Sequence, residues 1–372
     1  MRLRYGFVGC GMMGQEHLRN LAMIDGAEVT TIFEPAEGMR TASSGFVRKA
    51  QFVESVQAVI RSEEVDALVI TSPNFLHAEQ LQQIAAMRPL PMLVEKPVCT
   101  SLEQLRALQR LGASYPEPIW VAMEYRYMPP VFRFIEEVHS GSALGQVISM
   151  SIREHRYPFL SKVGNWNRFN EKTGGTLVEK CCHFFDLMRL ILHSEPVRVY
   201  ASGAQDVNHL DERYDDCVPD ILDNAFVVVD FASKQRAMLE LSMFADGSRF
   251  QESITVVGSE AKLECQIPGP TRFWPKELLG ESPTAQLTLS PRHPKGPKTL
   301  EVPVDPKLLE AGDHNGATFF QHERFAKMLR GELQVEVSLQ DGLRAVLMGL
   351  AAHRSILTGE SIDLTQGEFH LN

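Results

Sequence analysis

The chain lacks an uninterrupted apolar run of the roughly 18 residues that a membrane span requires, and it shows no internal repeat. It is also poor in positive charge. Lys and Arg number 37 against 47 Asp and Glu, which leaves a net charge of -10. No basic face interleaved with aromatics appears, so nucleic acid is an unsuitable partner. Cysteine is sparse: Cys10, Cys99, Cys181, Cys182, Cys217 and Cys265 are scattered through 372 residues, without the density of a disulfide scaffold. We read them as reduced thiols. No CxxC or HxxxH pattern is present to gather about four converging ligands, so no metal site is expected. The opening MRLRYGFVGCGMMG carries two arginines, but its apolar run breaks into glycines, which is the pattern of a folded element and not of a signal peptide. The expected location is the cytoplasm.

What is present describes a globular protein. Hydrophobic residues make up 44% and charged residues 23%, and the length suits two cores better than one. From Leu3 to Val121 short apolar runs alternate with amphipathic stretches: LRYGFV, EVTTIF, DALVIT, PMLVE and PIWVAM are separated by segments of helical spacing such as MGQEHLRNLAMI and SLEQLRALQRLGA. That alternation predicts a doubly wound parallel sheet covered by helices, an α/β Rossmann domain over 1–123. After Glu124 the rhythm changes. One amphipathic helix leads to several strands in succession, among them QVISMSIRE, NAFVVVDFA, RAMLELSMFA and ESITVVGS. Residues 124–372 are therefore expected to form an α+β domain with an open, mostly antiparallel sheet, the last helices being able to pack back on the first domain. Residues 266–306 hold nine of the 21 prolines, and SPRHPKGPK lies between two alternating runs, as in a surface hairpin.

The most specific short motif is GFVGCGMMG. Gly9, Gly11 and Gly14 have the GxGxxG spacing after a strand and before a helix, where the backbone can approach a pyrophosphate at the positive helix end. Met12 and Met13 lie within the same turn. Glu34 ends the second strand 20 residues after Gly14, placed to accept bonds from the adenosine ribose and to repel a 2'-phosphate. NAD is therefore expected over NADP.

Several motifs in order resemble the Gfo/Idh/MocA family, named for glucose-fructose oxidoreductase, inositol dehydrogenase and a rhizopine-catabolism protein. They are GFVGCGMMGQEHL, ITSPNFLHAEQ, VEKPVCTS, YRYMPPVFRFIEEVHSGSALGQVISM, GGTLVEKCCHFFD and the ending DGLRAVLMGLAAHRSILTGESIDL. The resemblance implies a nicotinamide-dependent oxidoreductase acting on a secondary alcohol or ketone of a sugar, polyol or cyclitol, assembled as a homodimer or homotetramer through the open sheet. It makes Lys96 the catalytic lysine, with Glu95 beside it, and puts Ser72, Pro73, Asn74 and His77 in a loop along the dinucleotide. It also places Arg126, Tyr157, Trp166, His314 and Asn315 in segments that border a substrate.

In GGTLVEKCCHFFD, helical spacing from Thr176 to Leu192 groups Leu177, Cys181, Phe184 and Met188 on one face and Glu179, His183 and Asp186 on the other. His183 matches the family's histidine, and Glu179 stands where an aspartate is usual. Histidine can take a hydroxyl proton near neutral pH, and a carboxylate beside it can fix its tautomer. Cys181 is expected in the core and Cys182 at the pocket edge. Two rivals stay open: a redox-assisted elimination or hydrolysis that regenerates NAD, and an NAD-sensing regulator that needs neither Lys96 nor His183.

Overall fold

The computed structural model describes residues 2–141 and 143–371. The chain forms two compact units, each assembled from separate stretches. The first contains the residues up to Glu124, then Ser161–Cys182 and Ala317–Leu347; the second contains Tyr125–Leu160, His183–Gly316 and the residues from Met348 onward.

The first unit is built on a parallel sheet of six strands: β1 (Leu3–Val8), β2 (Ala27–Phe33), β3 (Gln51–Val53), β4 (Ala67–Ile70), β5 (Met92–Val94) and β6 (Ile119–Val121). Their spatial order is β3-β2-β1-β4-β5-β6, and every pairing is parallel. All four residues of β4 and all three of β5 and β6 are buried, because helices cover both faces. Five of the six strands coincide with the apolar runs; β3, three half-exposed or exposed residues, carries no such run. Chain order reverses between β1 and β4, and ligands of doubly wound sheets bind in the crevice beyond the carboxyl ends at that switch point. Ser55 and Ser101 cap the helices Val56–Arg61 and Leu102–Gly112, each hydroxyl accepting a backbone N–H three residues on. The late helix Ala317–Leu329 packs against Met12–Leu21, and its Phe325 ring lies 6.3 Å from Tyr5 on β1 and 6.0 Å from Trp120 on β6.

The second unit contains one nine-stranded sheet. Its strands are β7 (Val147–His155), β8 (Pro196–Ala204), β9 (Asn224–Phe231), β10 (Arg236–Ser242), β11 (Glu252–Gly258), β12 (Ala261–Ile267), β13 (Ala285–Pro291), β14 (Lys298–Val302) and β15 (Ile362–Asp363). The order is β14-β13-β12-β11-β7-β10-β9-β8-β15, antiparallel except where β7 meets β10. β13 and β14 pair as a hairpin around the proline-rich SPRHPKGPK segment. Burial alternates along the strands: Ala225, Val227 and Val229 of β9 are buried while Phe226 and Val228 are exposed. The helix Pro129–Ser140 packs on β12 and β13. Tyr200, Phe226, Val228 and Met238 remain exposed on neighbouring strands, an open apolar face.

Candidate functional site

The glycine turn after β1 owes its shape to three different constraints. Gly9 has φ +92°, and a Cβ there would stand 2.8 Å from the backbone nitrogen of Ser72. A Cβ on Gly14 would stand 2.8 Å from the Gly9 carbonyl oxygen, whereas a Cβ on Gly11 would meet nothing within 4 Å. Two glycines thus allow close backbone packing, and the third leaves space in front of the helix N-terminus. Thr71 Oγ1 donates to the Gly9 carbonyl at 2.6 Å, tying the end of β4 to the turn.

That space opens into a cavity of about 440 Å³, and all its lining residues belong to the first unit. Of the expected cofactor contacts, Gly9, Gly11, Met12, Met13, Glu34, Ser72, Pro73, Asn74, Glu95 and Lys96 line it. Gly14 and His77 do not. Gly14 is spent on the turn itself, and the His77 ring nitrogens lie 2.8 Å from the Pro97 carbonyl and 2.9 Å from that of Ser72. Burial pulls the His77 pKa below the ordinary value, more than its two carbonyl partners offset. His77 is a brace between two loops. Asn74 is buried and its Nδ2 has no hydrogen-bond partner, so a donor on the cavity wall is free for a ligand.

Glu34 is held at the far end. Its Oε2 accepts from the Cys10 N–H at 2.5 Å and its Oε1 from the Ala36 N–H at 2.8 Å. Each carboxylate oxygen keeps a further lone pair for a ribose hydroxyl. Arg40 Nε donates to the Glu34 carbonyl oxygen at 2.6 Å, so the guanidinium also sits at this end.

At the other end stand Lys96 and Glu179. Lys96 follows β5, and its Nζ donates to the Glu179 carbonyl oxygen at 3.2 Å. Burial alone would depress its pKa, but Cys182, Glu124, Glu95 and Glu179 together hold it above the usual lysine value. Lys96 is therefore an ammonium, a donor, at neutral pH. The Glu179 carboxylate does not bond Lys96. Its Oε1 pairs with Lys162 Nζ at 3.0 Å, and its Oε2 has no partner. Lys162 went unnoticed in the sequence, where SKVGNW offers no patterned signal. It lines the cavity with Trp166, and its Nζ is 4.4 Å from the Trp166 ring centroid. Trp166 in turn meets Phe75 edge-on at 6.0 Å.

The opening of GGTLVEKCCHFFD departs from the expected continuous helix. Thr176–Glu179 and Cys182–Leu192 are separate helices with a turn at Lys180 and Cys181. The side chains of the expected polar stripe consequently take different partners. Glu179 belongs with Lys162; His183 stacks on Tyr125 with centroids 4.1 Å apart and planes within 5°; Asp186 forms a two-pronged ion pair with Arg126. Cys181 and Cys182 are both fully buried, and Cys182, expected at the pocket edge, is not on the cavity lining; its Sγ lies 3.7 Å from the Glu179 carbonyl.

Glu179 and Trp166 fall in the first unit with Lys96, and His183, Arg126, Tyr157, His314 and Asn315 in the second. There the Arg126 guanidinium is committed to Asp186, and the Tyr157 ring has Arg156 at 4.5 Å and a tilted Phe273 ring at 4.4 Å. Burial raises the Tyr157 pKa. His314 lies 6.1 Å from the Tyr125 ring, and Asn315 has a left-handed φ of +51°. Among the described residues no group of three or more His, Cys, Asp or Glu could hold a metal, and no helix is long and apolar enough to cross a membrane.

Residues 3–123 match a family profile described as an oxidoreductase family, NAD-binding Rossmann fold, and residues 138–364 match its companion, the C-terminal alpha/beta domain. The chain belongs to the Gfo/Idh/MocA oxidoreductase family. Among curated members of that family, the rhizopine catabolism protein MocA of Rhizobium meliloti is 28% identical over 195 residues, 52% of this chain and 59% of that protein. The match thus spans about three fifths of that relative's length. The inositol 2-dehydrogenase of Rhizobium meliloti strain 1021 is 23% identical over 270 residues, 73% of this chain and 77% of its own. A solved structure of levoglucosan dehydrogenase in complex with NADH superimposes with a TM-score of 0.81 at 17% identity, covering 98% of this chain and 100% of that one. As a Gfo/Idh/MocA oxidoreductase, the chain has an NAD-binding Rossmann domain, and the open space at Gly11, the free Asn74 amide and the anchored Glu34 suit a dinucleotide.

Proposed function

We propose that the protein is an NAD-dependent dehydrogenase that oxidises a secondary alcohol of a sugar, polyol or cyclitol. The observation that carries this reading is a single cavity lined at one end by the glycine turn and Glu34 and at the other by Lys96 and Glu179. Bound NAD supplies the hydride acceptor. The chain's own residues do the remainder. Gly9, Gly11 and Asn74 hold the dinucleotide, and Glu34 selects an unphosphorylated ribose. The Lys96 ammonium donates to the reacting oxygen, and the unpartnered Oε2 of Glu179 accepts from a neighbouring substrate hydroxyl. By the family resemblance His183 is the candidate base for the hydroxyl proton, so the products would be a ketone, NADH and a proton. Inositol 2-dehydrogenase and levoglucosan dehydrogenase, by their names, act on a cyclitol and an anhydrosugar, which supports that substrate class.

The test is a panel of inositols, aldoses, alditols and levoglucosan with NAD, followed by absorbance at 340 nm. Stoichiometric NADH formation with one of them is the expected outcome. Substrate consumption with no net NADH would replace this reading with a redox-assisted elimination or hydrolysis, and no turnover with any of them would remove it.

A further inference from the structure

Behind the cavity wall the interior of the first unit holds a line of polar side chains to which hydride transfer assigns no role. His17, on the helix Met12–Leu21, is fully buried, and its Nε2 lies 2.8 Å from Glu95 Oε1. Its Nδ1 lies 2.8 Å from Nε2 of His322, on the helix Ala317–Leu329, with the two ring planes at 89°. The same two helices are joined by Thr318 Oγ1, which donates to Glu16 Oε1 at 2.8 Å. The second oxygen of Glu95 accepts the backbone N–H of Lys96 at 3.2 Å. Three side chains from distant parts of the sequence thus end on the peptide group that carries Lys96.

Counting protons orients the line. Burial pushes the Glu95 carboxyl up, but the hydrogen bond from His17 and the charge of Lys96 bring it below its ordinary value, so it is an acceptor only. His17 must then carry a proton on Nε2. Between His17 Nδ1 and His322 Nε2 there is room for one proton. Burial holds the His322 pKa well below its ordinary value, so that ring is neutral. His322 Nδ1 has no partner. If it carried the ring's single proton, a buried N–H would be orphaned, which is rarer in folded proteins than an unsatisfied acceptor. The proton therefore sits on Nε2 and points to His17.

We propose that His322 and His17 are positioning residues for Lys96: His322 donates from Nε2 to His17 Nδ1, which fixes the His17 tautomer, and His17 donates from Nε2 to Glu95, which clamps the Glu95–Lys96 peptide at the end of β5. Glu95 can then neither rotate away nor trade its partner, and the Lys96 ammonium is delivered to the cavity along one path. The functional half of this inference rests on the proposed role of Lys96; the tautomer half does not.

The experiment has two arms. Neutron diffraction on crystals of the deuterium-exchanged protein at pH 7.5 reads the tautomers directly, with deuterium expected on Nε2 and absent from Nδ1 of both rings; deuterium on Nδ1 of either overturns the proposal whether or not a substrate is known. The second arm compares His17→Leu and His17→Gln, whose amide can still donate to Glu95, using the substrate found in the panel and the Cε resonance of Lys96, assigned by its loss in Lys96→Arg. His17→Leu is expected to lower kcat about 30-fold and to move the Lys96 resonance, with the Kd for NAD changed less than threefold, and His17→Gln is expected to recover most of both. Wild-type kcat and an unmoved Lys96 resonance in His17→Leu would overturn the positioning role, as would failure of His17→Gln to recover any of the loss. If His17→Leu does not fold, His322→Leu takes its place with the same expected direction and a smaller effect. A wild-type enzyme inert toward the whole panel would instead sink the dehydrogenase reading, and the tautomers and the Lys96 resonance would still decide this one.

Discussion

The two sheets solve the burial problem in opposite ways. In the six-stranded sheet of the first unit, β4, β5 and β6 are buried on both faces, and their helix-covered interior admits a surprising number of polar groups: Glu16, His17, His77, Glu95, Gln321 and His322 are all buried there. In the nine-stranded sheet, burial alternates residue by residue, the inward set is apolar apart from Glu154 on β7 and Glu252 on β11, and the outward set includes exposed Tyr200, Phe226, Val228 and Met238. A buried polar group costs stability unless it is hydrogen-bonded, so a fold keeps many of them only where something else needs them. The difference teaches that the first unit's interior is organised around its cavity, and the second unit's sheet around a surface.

Breaking the ion pair within the second unit should give the largest effect. Arg126→Met leaves Asp186, 1% exposed at the side chain, without its guanidinium, and urea unfolding should report a loss of about 3–5 kcal/mol. A loss under 1 kcal/mol would mean that the pair is a bystander. Next comes the cavity of the first unit. Lys96→Met should lower kcat about 100-fold, roughly 2.7 kcal/mol, while calorimetry finds the Kd for NAD within threefold of wild type. Normal turnover would remove Lys96 from the proposed chemistry.

Acid should then separate the two interiors. His77 and His322 in the first unit have pKa values below the usual 6.5, and His353 in the second is pulled down to about 4, all chiefly by burial. The unfolded chain binds these protons near 6.5 and the native one does not. The stability such groups contribute is therefore present above pH 6.5 and is lost as pH falls from 6.5 toward the folded values, about 2 kcal/mol by pH 5 for His353. Hydrogen exchange followed by mass spectrometry should show amides of β1 and β4 losing more protection between pH 7.5 and 5.5 than those of β9 and β11. Equal loss in both sheets would erase the contrast drawn above.

Two smaller effects complete the series. Wild type should prefer NAD over NADP by about tenfold, roughly 1.4 kcal/mol, and Glu34→Ala should remove that preference; an unchanged ratio would pass the discrimination to another group, with Arg40 the nearest cation. Phe226→Ser, on the exposed face of β9, should change monomer stability by no more than about 0.5 kcal/mol. Its expected effect is on the homo-oligomer that the family resemblance implies through an open sheet, which sedimentation velocity should show dissociating at higher concentration than wild type. A wild type that sediments as a monomer would leave the face without that role.

Much of this contrast could be read from the residues. Double-sided burial writes β1, β4, β5 and β6 as apolar runs, one-sided burial writes β12 as alternation, and β9 reads as an apolar run because its outward Phe226 and Val228 are apolar too, so both sheets were visible. β3 was not, since three residues half in solvent need no apolar run. The glycine turn and Glu34 were legible because a tight backbone and a carboxylate at fixed spacing leave a local trace. The pairs Lys162 with Glu179, Arg126 with Asp186 and His17 with His322 were not, being 17, 60 and 305 residues apart and decided by tertiary packing. The turn at Lys180 and Cys181 escaped because the local pattern is helical on both sides; its Glu179 carbonyl accepts from Lys96, 83 residues away.

The composition of the first unit from three separated stretches bears on how the molecule is made. As the chain leaves the ribosome, residues up to Glu124 emerge with the whole six-stranded sheet but without the Ser161–Cys182 and Ala317–Leu347 stretches that belong to the same unit. Until those arrive, His17 lacks His322, Glu16 lacks Thr318, and Tyr5 and Trp120 lack the ring of Phe325. Domains tend to fold as units in order of synthesis, but here the first to be translated is among the last that can be completed. A nascent or recombinant fragment ending near residue 124 should therefore be an open, chaperone-dependent half-sheet with exposed apolar surface, and not a portable nucleotide-binding module.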